Sequence, residues 1–139
     1  MNNPKSVRFT VAFSITVGLL HFVIGPDYQG IFREFVKGYL MDLLLPANLY
    51  LLLQLALRKR LAVRTSRWIG GTFTFLFGTF VEVLQYYEID IFGNTFDPID
   101  IVMYAVGTIS GIVLDLTVIT ALEEKKQWDT TSNRQTNLN

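Results

Sequence analysis

The residues of this chain that are best suited to chemistry lie between positions 81 and 100, at the end of an apolar run. Glu82 and Gln85 are spaced three residues apart, as are Asp97 and Asp100, so each pair lies on one face of a helix. A carboxyl group held away from water can act as a general acid or base. Paired carboxylates can also bind a divalent cation, since hard cations prefer oxygen ligands. These four residues are the candidate catalytic set, and the identity of any metal stays open.

The composition indicates an integral membrane protein. Half of the 139 residues are hydrophobic and only 17% are charged, whereas charged residues make up about 25% of soluble globular chains. The formal net charge is zero, so we expect no nucleic-acid partner. The chain has no cysteine, which excludes a disulfide framework, a thiol nucleophile and a thiolate metal site.

Four apolar runs approach the ~20 residues that are needed to cross the hydrocarbon core of a bilayer. They predict an all-α fold, a four-helix transmembrane bundle with spans at about 7–24, 39–57, 68–87 and 99–122. Residues 1–122 then form a single membrane domain, and the polar residues 123–139 form a disordered tail. Aromatic and charged residues between the first two spans predict a short interfacial helix there, with an outward extension of the second span as the alternative.

Basic residues predict the orientation of the bundle. They precede the first span, fill the loop between the second and third spans, and follow the fourth span (Lys5, Arg8, Arg58, Lys59, Arg60, Arg64, Arg67, Lys125, Lys126). The positive-inside rule makes this side cytoplasmic. We therefore expect a multi-pass protein of the plasma membrane with both termini in the cytoplasm.

With this topology, every span carries a polar group at one level just below the outer surface. Glu82 lies about 21 Å along the third span, at 1.5 Å per residue. His21, Asp42 and Tyr104 approach the same level in the other spans. Ionisable groups in lipid cost about 2.5–3.5 kcal/mol each and normally face the bundle interior. We therefore predict a polar pocket open to the outer leaflet, with His21, Asp42 and Tyr104 as candidate substrate-binding residues.

Most of these residues also have a structural interpretation. Asp97 can cap the fourth helix, with Pro98 at its first position and Asp100 in its first turn. Asp42 can start a helix, and His21 can form a structural hydrogen bond. Only the buried third-span carboxyl group has no capping or surface role available.

Small residues recur at helical spacing in the last two spans and predict close helix packing. Gly78 shares a stripe with Glu82, while Gly107 and Gly111 form a second stripe. The second stripe also carries Asp100 and Tyr104, and we expect packing of the two stripes to bring Glu82 and Gln85 close to these residues. Such faces can also support oligomerisation. Asp115 lies further along the second stripe, where an interhelical hydrogen bond is the favoured interpretation.

Three short motifs in the last two spans resemble a known family. They are Glu82-x-x-Gln85, Phe96-Asp97-x-x-Asp100 and Gly107-x-x-x-Gly111. Together they resemble the VanZ-like family of small bacterial membrane proteins, whose pattern is a Glu-x-x-Gln pair, a loop, and then Arg-Ser-Phe-Asp-x-x-Asp before a glycine motif. The resemblance covers about residues 79–111, and the four-span layout agrees elsewhere.

The resemblance is to a divergent member, because Asn94 stands where the family has arginine and Tyr104 where it has asparagine. Founding members of the family are associated with low-level resistance to teicoplanin-type glycopeptides at the cell envelope. The resemblance thus implies the bacterial cytoplasmic membrane, and it nominates the same four candidate catalytic residues.

Two classes of function follow. The first is an envelope protein whose acidic pocket binds or modifies a lipid-linked precursor or another envelope substrate. In it, Glu82 acts as acid or base, and Asp97 and Asp100 can hold a divalent cation. The second is a non-catalytic interaction or scaffold subunit whose buried polar residues stabilise helix packing. A transporter component is less favoured, because the sequence shows no pair of broken helices.

Overall fold

A computed structural model describes residues 3–23, 28–87, 97–125 and 128, and in this part the protein is mostly helical and has no strand. The all-α fold predicted from the sequence is confirmed. The last helix, which begins at Pro98, continues through a wider π-helical turn to Lys125. The helices are α1 (Pro4–Val23), α2 (Arg33–Gly38), α3 (Leu40–Leu57), α4 (Val63–Tyr86) and α5 (Pro98–Leu114), and the π-turn is Asp115–Ile119.

Three helices are long and apolar enough to cross a membrane: α1, α3 and the continuous helix from Pro98 to Lys125. The helix α4 has 24 residues but is more polar. Its buried face carries small and polar side chains (Ser66, Gly70, Gly71, Thr74, Gly78, Glu82). Its opposite face exposes large apolar side chains (Trp68, Ile69, Phe73, Leu76, Phe77, Phe80, Val83).

The same inverted distribution holds for the whole bundle. Exposed apolar side chains line the outer faces of α1 and α5, including Leu19, Phe22 and Val102. Buried polar side chains lie between the helices, including Gln54 and Asp115. An apolar surface of this extent would drive aggregation in water, whereas lipid tails accept it and leave polar groups to pair inside. The pattern suits a membrane protein.

The helix α3 lies at the centre, in contact with α1, α2, α4 and α5, and α5 also packs on α4. The Asn3 amide donates a hydrogen bond to the carbonyl oxygen of Leu122, so the start of α1 and the end of the α5 continuation lie together. We call this the basic end, because Arg58 follows α3 there. His21, Asp42 and Tyr104 line one cavity at the opposite end, the acidic end. Neighbouring long helices therefore alternate in direction.

The helix bounds differ from the predicted spans mainly at the basic end. There α4 begins at Val63 rather than near Trp68, and the last helix continues to Lys125 rather than ending at Leu122. Of the predicted tail beyond Lys125, only Trp128 lies within the described residues. The short helix α2 occupies the segment where an interfacial helix was expected, and Tyr39 alone separates it from α3.

The glycines of α5 allow it to approach α3 closely. A Cβ atom added to Gly107 would overlap the carbonyl oxygen of Leu43, and one added to Gly111 would lie 3.1 Å from the Cα atom of Ala47. Gly78 of α4 lies instead under the ring of Tyr104, where an added Cβ atom would be 2.8 Å away. The two stripes therefore meet as expected only at Tyr104, which packs on Gly78 and bonds to Glu82. Gly107 and Gly111 of the α5 stripe face the central helix α3 instead.

Candidate functional site

At the acidic end, Glu82 joins the end of α4 to the start of α5. Its side chain is buried, with 1% exposure. One carboxyl oxygen accepts a hydrogen bond from the Tyr104 hydroxyl at 3.1 Å. The other accepts one from the backbone N–H of Asp97 at 3.3 Å. The carboxyl group thus holds an aromatic side chain and a helix start in place.

Asp97 caps α5, as its position before a proline predicts. Its carboxylate accepts a hydrogen bond from the backbone N–H of Ile99 at 2.9 Å, and Pro98 occupies the first turn. Asp100 follows in the same turn, where the positive helix end favours an acid. The capping interpretation is therefore confirmed for Asp97, and a catalytic role for it stays a prediction.

Asp42 brings a third acidic segment to this end. It lies in the first turn of α3, half-buried, and its carboxyl group interacts with the Tyr104 hydroxyl. Within the described ranges, the charges acting on Asp42 and Asp100 are all carboxylates: Glu82 and Asp97 act on both residues, and Asp42 also acts on Asp100. The acidic end is therefore a cluster of like charges from α3, α4 and α5.

The negative charge of this cluster also acts on Tyr39, the residue before α3. The carboxylate of Asp97, followed by burial and the carboxylate of Asp100, raises the pKa of the Tyr39 hydroxyl, because a phenolate would be repelled. Among the described residues, no group of three or more His, Asp or Glu side chains could hold a metal ion. The bridging cation therefore gains no support from the geometry.

A cavity of about 480 Å³ opens beside the cluster. It runs over α3, with α1 and α4 as its walls and Tyr104 of α5 at its polar end. All three candidate substrate-binding residues line it. So does Thr74, which is 1% exposed and whose hydroxyl has no hydrogen-bond partner among the described residues. The lining residues are His21, Asp42, Leu45, Pro46, Asn48, Leu49, Leu52, Thr74, Phe77, Gly78, Val81 and Tyr104.

The four candidate catalytic residues lie behind this cavity rather than in its wall. Of the described lining residues, none is Glu82, Gln85, Asp97 or Asp100. Gln85 lies one turn beyond Glu82 and is half-buried. Tyr104 connects the two groups, because its hydroxyl contacts the buried carboxyl of Glu82 while the residue lines the cavity. Glu82 therefore supports Tyr104 from outside the described lining of the cavity, and a catalytic role for Glu82 stays a prediction.

The basic end holds a second polar cluster, centred on Asp115, that sequence reasoning only partly identified. The Asp115 carboxylate is fully buried and accepts hydrogen bonds from Arg58 Nη2 at 2.6 Å and Arg67 Nε at 2.8 Å. The Tyr50 hydroxyl donates a third at 3.2 Å. Asp115 does bond between helices, as expected, but its partners include two arginines that the sequence suggested only as orientation signals.

A signal for this cluster was present in α3. Tyr50, Gln54 and Arg58 recur at every fourth residue, which places three polar side chains on one face of an apolar helix. The amide of Gln54 donates to the carbonyl oxygen of Ser66 at 3.0 Å and accepts from Arg58 Nε at 3.2 Å. The cluster therefore fastens α3, α4 and the end of α5 together.

Comparison of the chain with protein-family models, with curated proteins and with solved structures finds no match in any of the three.

Proposed function

We propose that the chain is a VanZ-like, four-span protein of the bacterial cell envelope whose cavity at the acidic end binds a lipid-linked or other envelope substrate in the outer leaflet. The observation that carries the proposal is the cavity of about 480 Å³ with Asp42 and Tyr104 at its polar end. Its volume lies within the roughly 300–1,000 Å³ range of small-molecule sites. A mostly apolar wall with a few convergent polar groups is typical of such sites.

Binding is better supported than catalysis. Both oxygens of Glu82 already accept hydrogen bonds, and the carboxylate of Asp97 accepts one from its own helix. Besides Tyr104, the titratable groups among the described lining residues are Asp42 and His21. We therefore assign substrate contact to these two residues and to Tyr104, with Glu82 positioning Tyr104 from behind.

The first test measures tolerance to a teicoplanin-type glycopeptide in a bacterium that expresses the chain. We expect the wild-type chain to raise tolerance, and Asp42→Asn to abolish the gain at unchanged protein abundance, because a cavity contact is lost while the packing stays. The control Glu124→Gln changes an exposed carboxylate at the basic end and should behave as wild type. Full tolerance with Asp42→Asn at wild-type abundance would refute the proposed binding role.

A scaffold or interaction subunit is the second candidate, favoured by the hydrogen bonds through which Glu82 joins α4 to α5. In that case Glu82→Gln and Asp42→Asn lower the amount of folded protein in parallel with any phenotype. Measuring abundance and tolerance for each variant separates the two candidates, since a binding defect lowers tolerance alone.

We further propose that α4 is the fourth span and that the basic end faces the cytoplasm. The exposed apolar face of α4 and its buried polar face support this, because lipid favours that arrangement. The basic residues at one end support the orientation.

The absence of native cysteine allows a direct topology test with single-cysteine variants. Thr65 and Tyr87 are exposed and lie at opposite ends of α4, and Glu124 lies at the basic end. We expect a membrane-impermeant maleimide to label Tyr87→Cys in intact cells, and to label Thr65→Cys and Glu124→Cys only after permeabilisation. Labelling of Thr65→Cys and Tyr87→Cys from the same side of the membrane would contradict the proposal that α4 crosses it.

A further inference from the structure

The cavity at the acidic end is a groove that is open along one side to the apolar surface. Its floor is α3, from Asp42 to Leu52, and α4 contributes Phe77 to one wall. Leu45 and Phe77 line the groove and are also exposed, with 48% and 43% exposure. Because this surface is the one that lipid would cover, a ligand can enter sideways from the bilayer without crossing water.

The groove has a polar end and an apolar length. Asp42 and Tyr104 lie at the acidic end, while Leu45, Leu49 and Leu52 follow along α3. The distance from Asp42 to Leu52 along a helix is about 15 Å at 1.5 Å per residue. The hydrocarbon core is about 30 Å thick, so the groove extends over about one leaflet. A ligand that filled the groove would therefore need a polar headgroup and an apolar tail along α3.

The charge of the polar end selects the headgroup. In the described part of the chain, the charges that act on Asp42 and Asp100 are all carboxylates. These groups repel one another in a medium of low dielectric constant, and a bound cation relieves that repulsion. An anionic headgroup would increase this repulsion. Among the described residues, no group of three or more His, Asp or Glu side chains could hold a metal ion that would attract such a headgroup.

A second feature, independent of the acids, points to a ligand in the same place. Thr74 lines the groove from α4 and is 1% exposed, and its hydroxyl bonds to no other described residue. Buried hydroxyl groups normally have a hydrogen-bond partner, and one without a partner calls for an explanation. A ligand that carries polar atoms in the groove would supply the partner.

We infer that the groove binds a membrane amphiphile whose headgroup presents an ammonium group to Asp42 and whose tail lies along α3. This inference rests on the proposed function and narrows its substrate class. It assigns recognition of the headgroup to Asp42, assisted by Tyr104, and places Thr74 against polar atoms below the headgroup.

The test uses the full chain, purified in neutral maltoside micelles, and counts bound amphiphile by native mass spectrometry. Three probes share one tail: dodecylamine, dodecanol and dodecanoate. We expect dodecylamine to bind on the order of tenfold more tightly than the other two, because a charge-assisted hydrogen bond to a carboxylate is stronger than a neutral one. Asp42→Asn should remove this preference.

A matched pair of variants keeps the test informative if Asp42→Asn fails to fold. A fourth probe, N-(2-aminoethyl)dodecanamide, carries an amide group below its ammonium group. Thr74→Val should weaken binding of this probe by several-fold, whereas Thr108→Val should not. Thr108 is also a buried hydroxyl without a partner in the described ranges, but it lines a different cavity, between α4 and α5. Equal effects of the two variants would overturn the role of Thr74.

The outcomes separate this inference from the function on which it rests. Equal binding of the three probes would overturn the selection of an ammonium group, while the proposed function as an amphiphile-binding protein would stand. No binding of any probe would overturn the proposed function itself. Tighter binding of dodecylamine that depends on Asp42 supports both.

Discussion

Replacement of Asp115 by alanine is expected to lower the free energy of unfolding by about 3–5 kcal/mol, as is typical when one partner of a buried ion pair is removed. The Asp115 carboxylate is fully buried and pairs with Arg58, whose side chain is only 2% exposed, and with Arg67. Without it, Arg67 would lose this ion pair and Arg58 would keep only its contact with the partly exposed Glu123 carboxylate at 3.4 Å, so both guanidinium groups would lose their main compensating charge. The loss of stability arises mainly from these two poorly compensated guanidinium groups.

The measurement is unfolding of the purified chain in mixed detergent micelles, followed by circular dichroism. Glu124→Ala removes an exposed carboxylate from the same end of the bundle and should change stability little. Exchange of both partners, Arg58→Met with Asp115→Leu, should destabilise less than Asp115→Ala alone, because no Arg58 charge remains buried. Unchanged stability of Asp115→Ala would mean that the cluster contributes nothing to the bundle.

Gly107→Ala is expected to destabilise the bundle by about 1–3 kcal/mol, the usual cost of overpacking a filled interior. The added methyl group would overlap the carbonyl oxygen of Leu43, which is backbone and cannot rotate away as a side chain can. Relief requires α5 to move away from α3, and that movement would also loosen the contact at Gly111.

Gly18→Ala is the matched control. Gly18 lies in α1, and an added Cβ atom there would meet nothing within 4 Å. Alanine is more favourable than glycine inside a helix by up to about 1 kcal/mol, so this variant should be as stable as the wild type or slightly more stable. The two substitutions are chemically identical, so opposite signs in the same unfolding experiment would isolate the α3–α5 contact. Equal changes would contradict close packing at Gly107.

The helices were predictable because their signals are local. An apolar run of sufficient length, a proline at the start of α5 and a capping Asp97 each depend on neighbours in the sequence. The acidic end was predictable for a related reason, since depth along alternating spans follows from counting residues. Placement of His21, Asp42 and Tyr104 around one cavity agrees with that count, while their role in binding stays a prediction.

The partners of individual side chains were not predictable, because they depend on how helices rotate about their axes. The Gly107–Gly111 stripe was expected to face α4, yet it lies on α3, which the sequence did not identify as the central helix. Arg58 and Arg67 flank the same short loop and satisfy the positive-inside rule whether or not they turn inward. Only the packed bundle reveals that both reach Asp115.

The π-turn changes the meaning of sequence spacing in the last helix. Its backbone bond runs from the N–H of Thr120 to the carbonyl oxygen of Asp115, one residue wider than in an α-helix. One extra residue resets the helical phase by about 100°, since an α-helix has 3.6 residues per turn. The Thr120 hydroxyl thereby accepts a hydrogen bond from Arg67 at 2.9 Å. A seven-residue pattern that follows one face of α5 therefore does not continue on the same face beyond Asp115. The two parts of the last helix present faces to their neighbours that are rotated relative to each other.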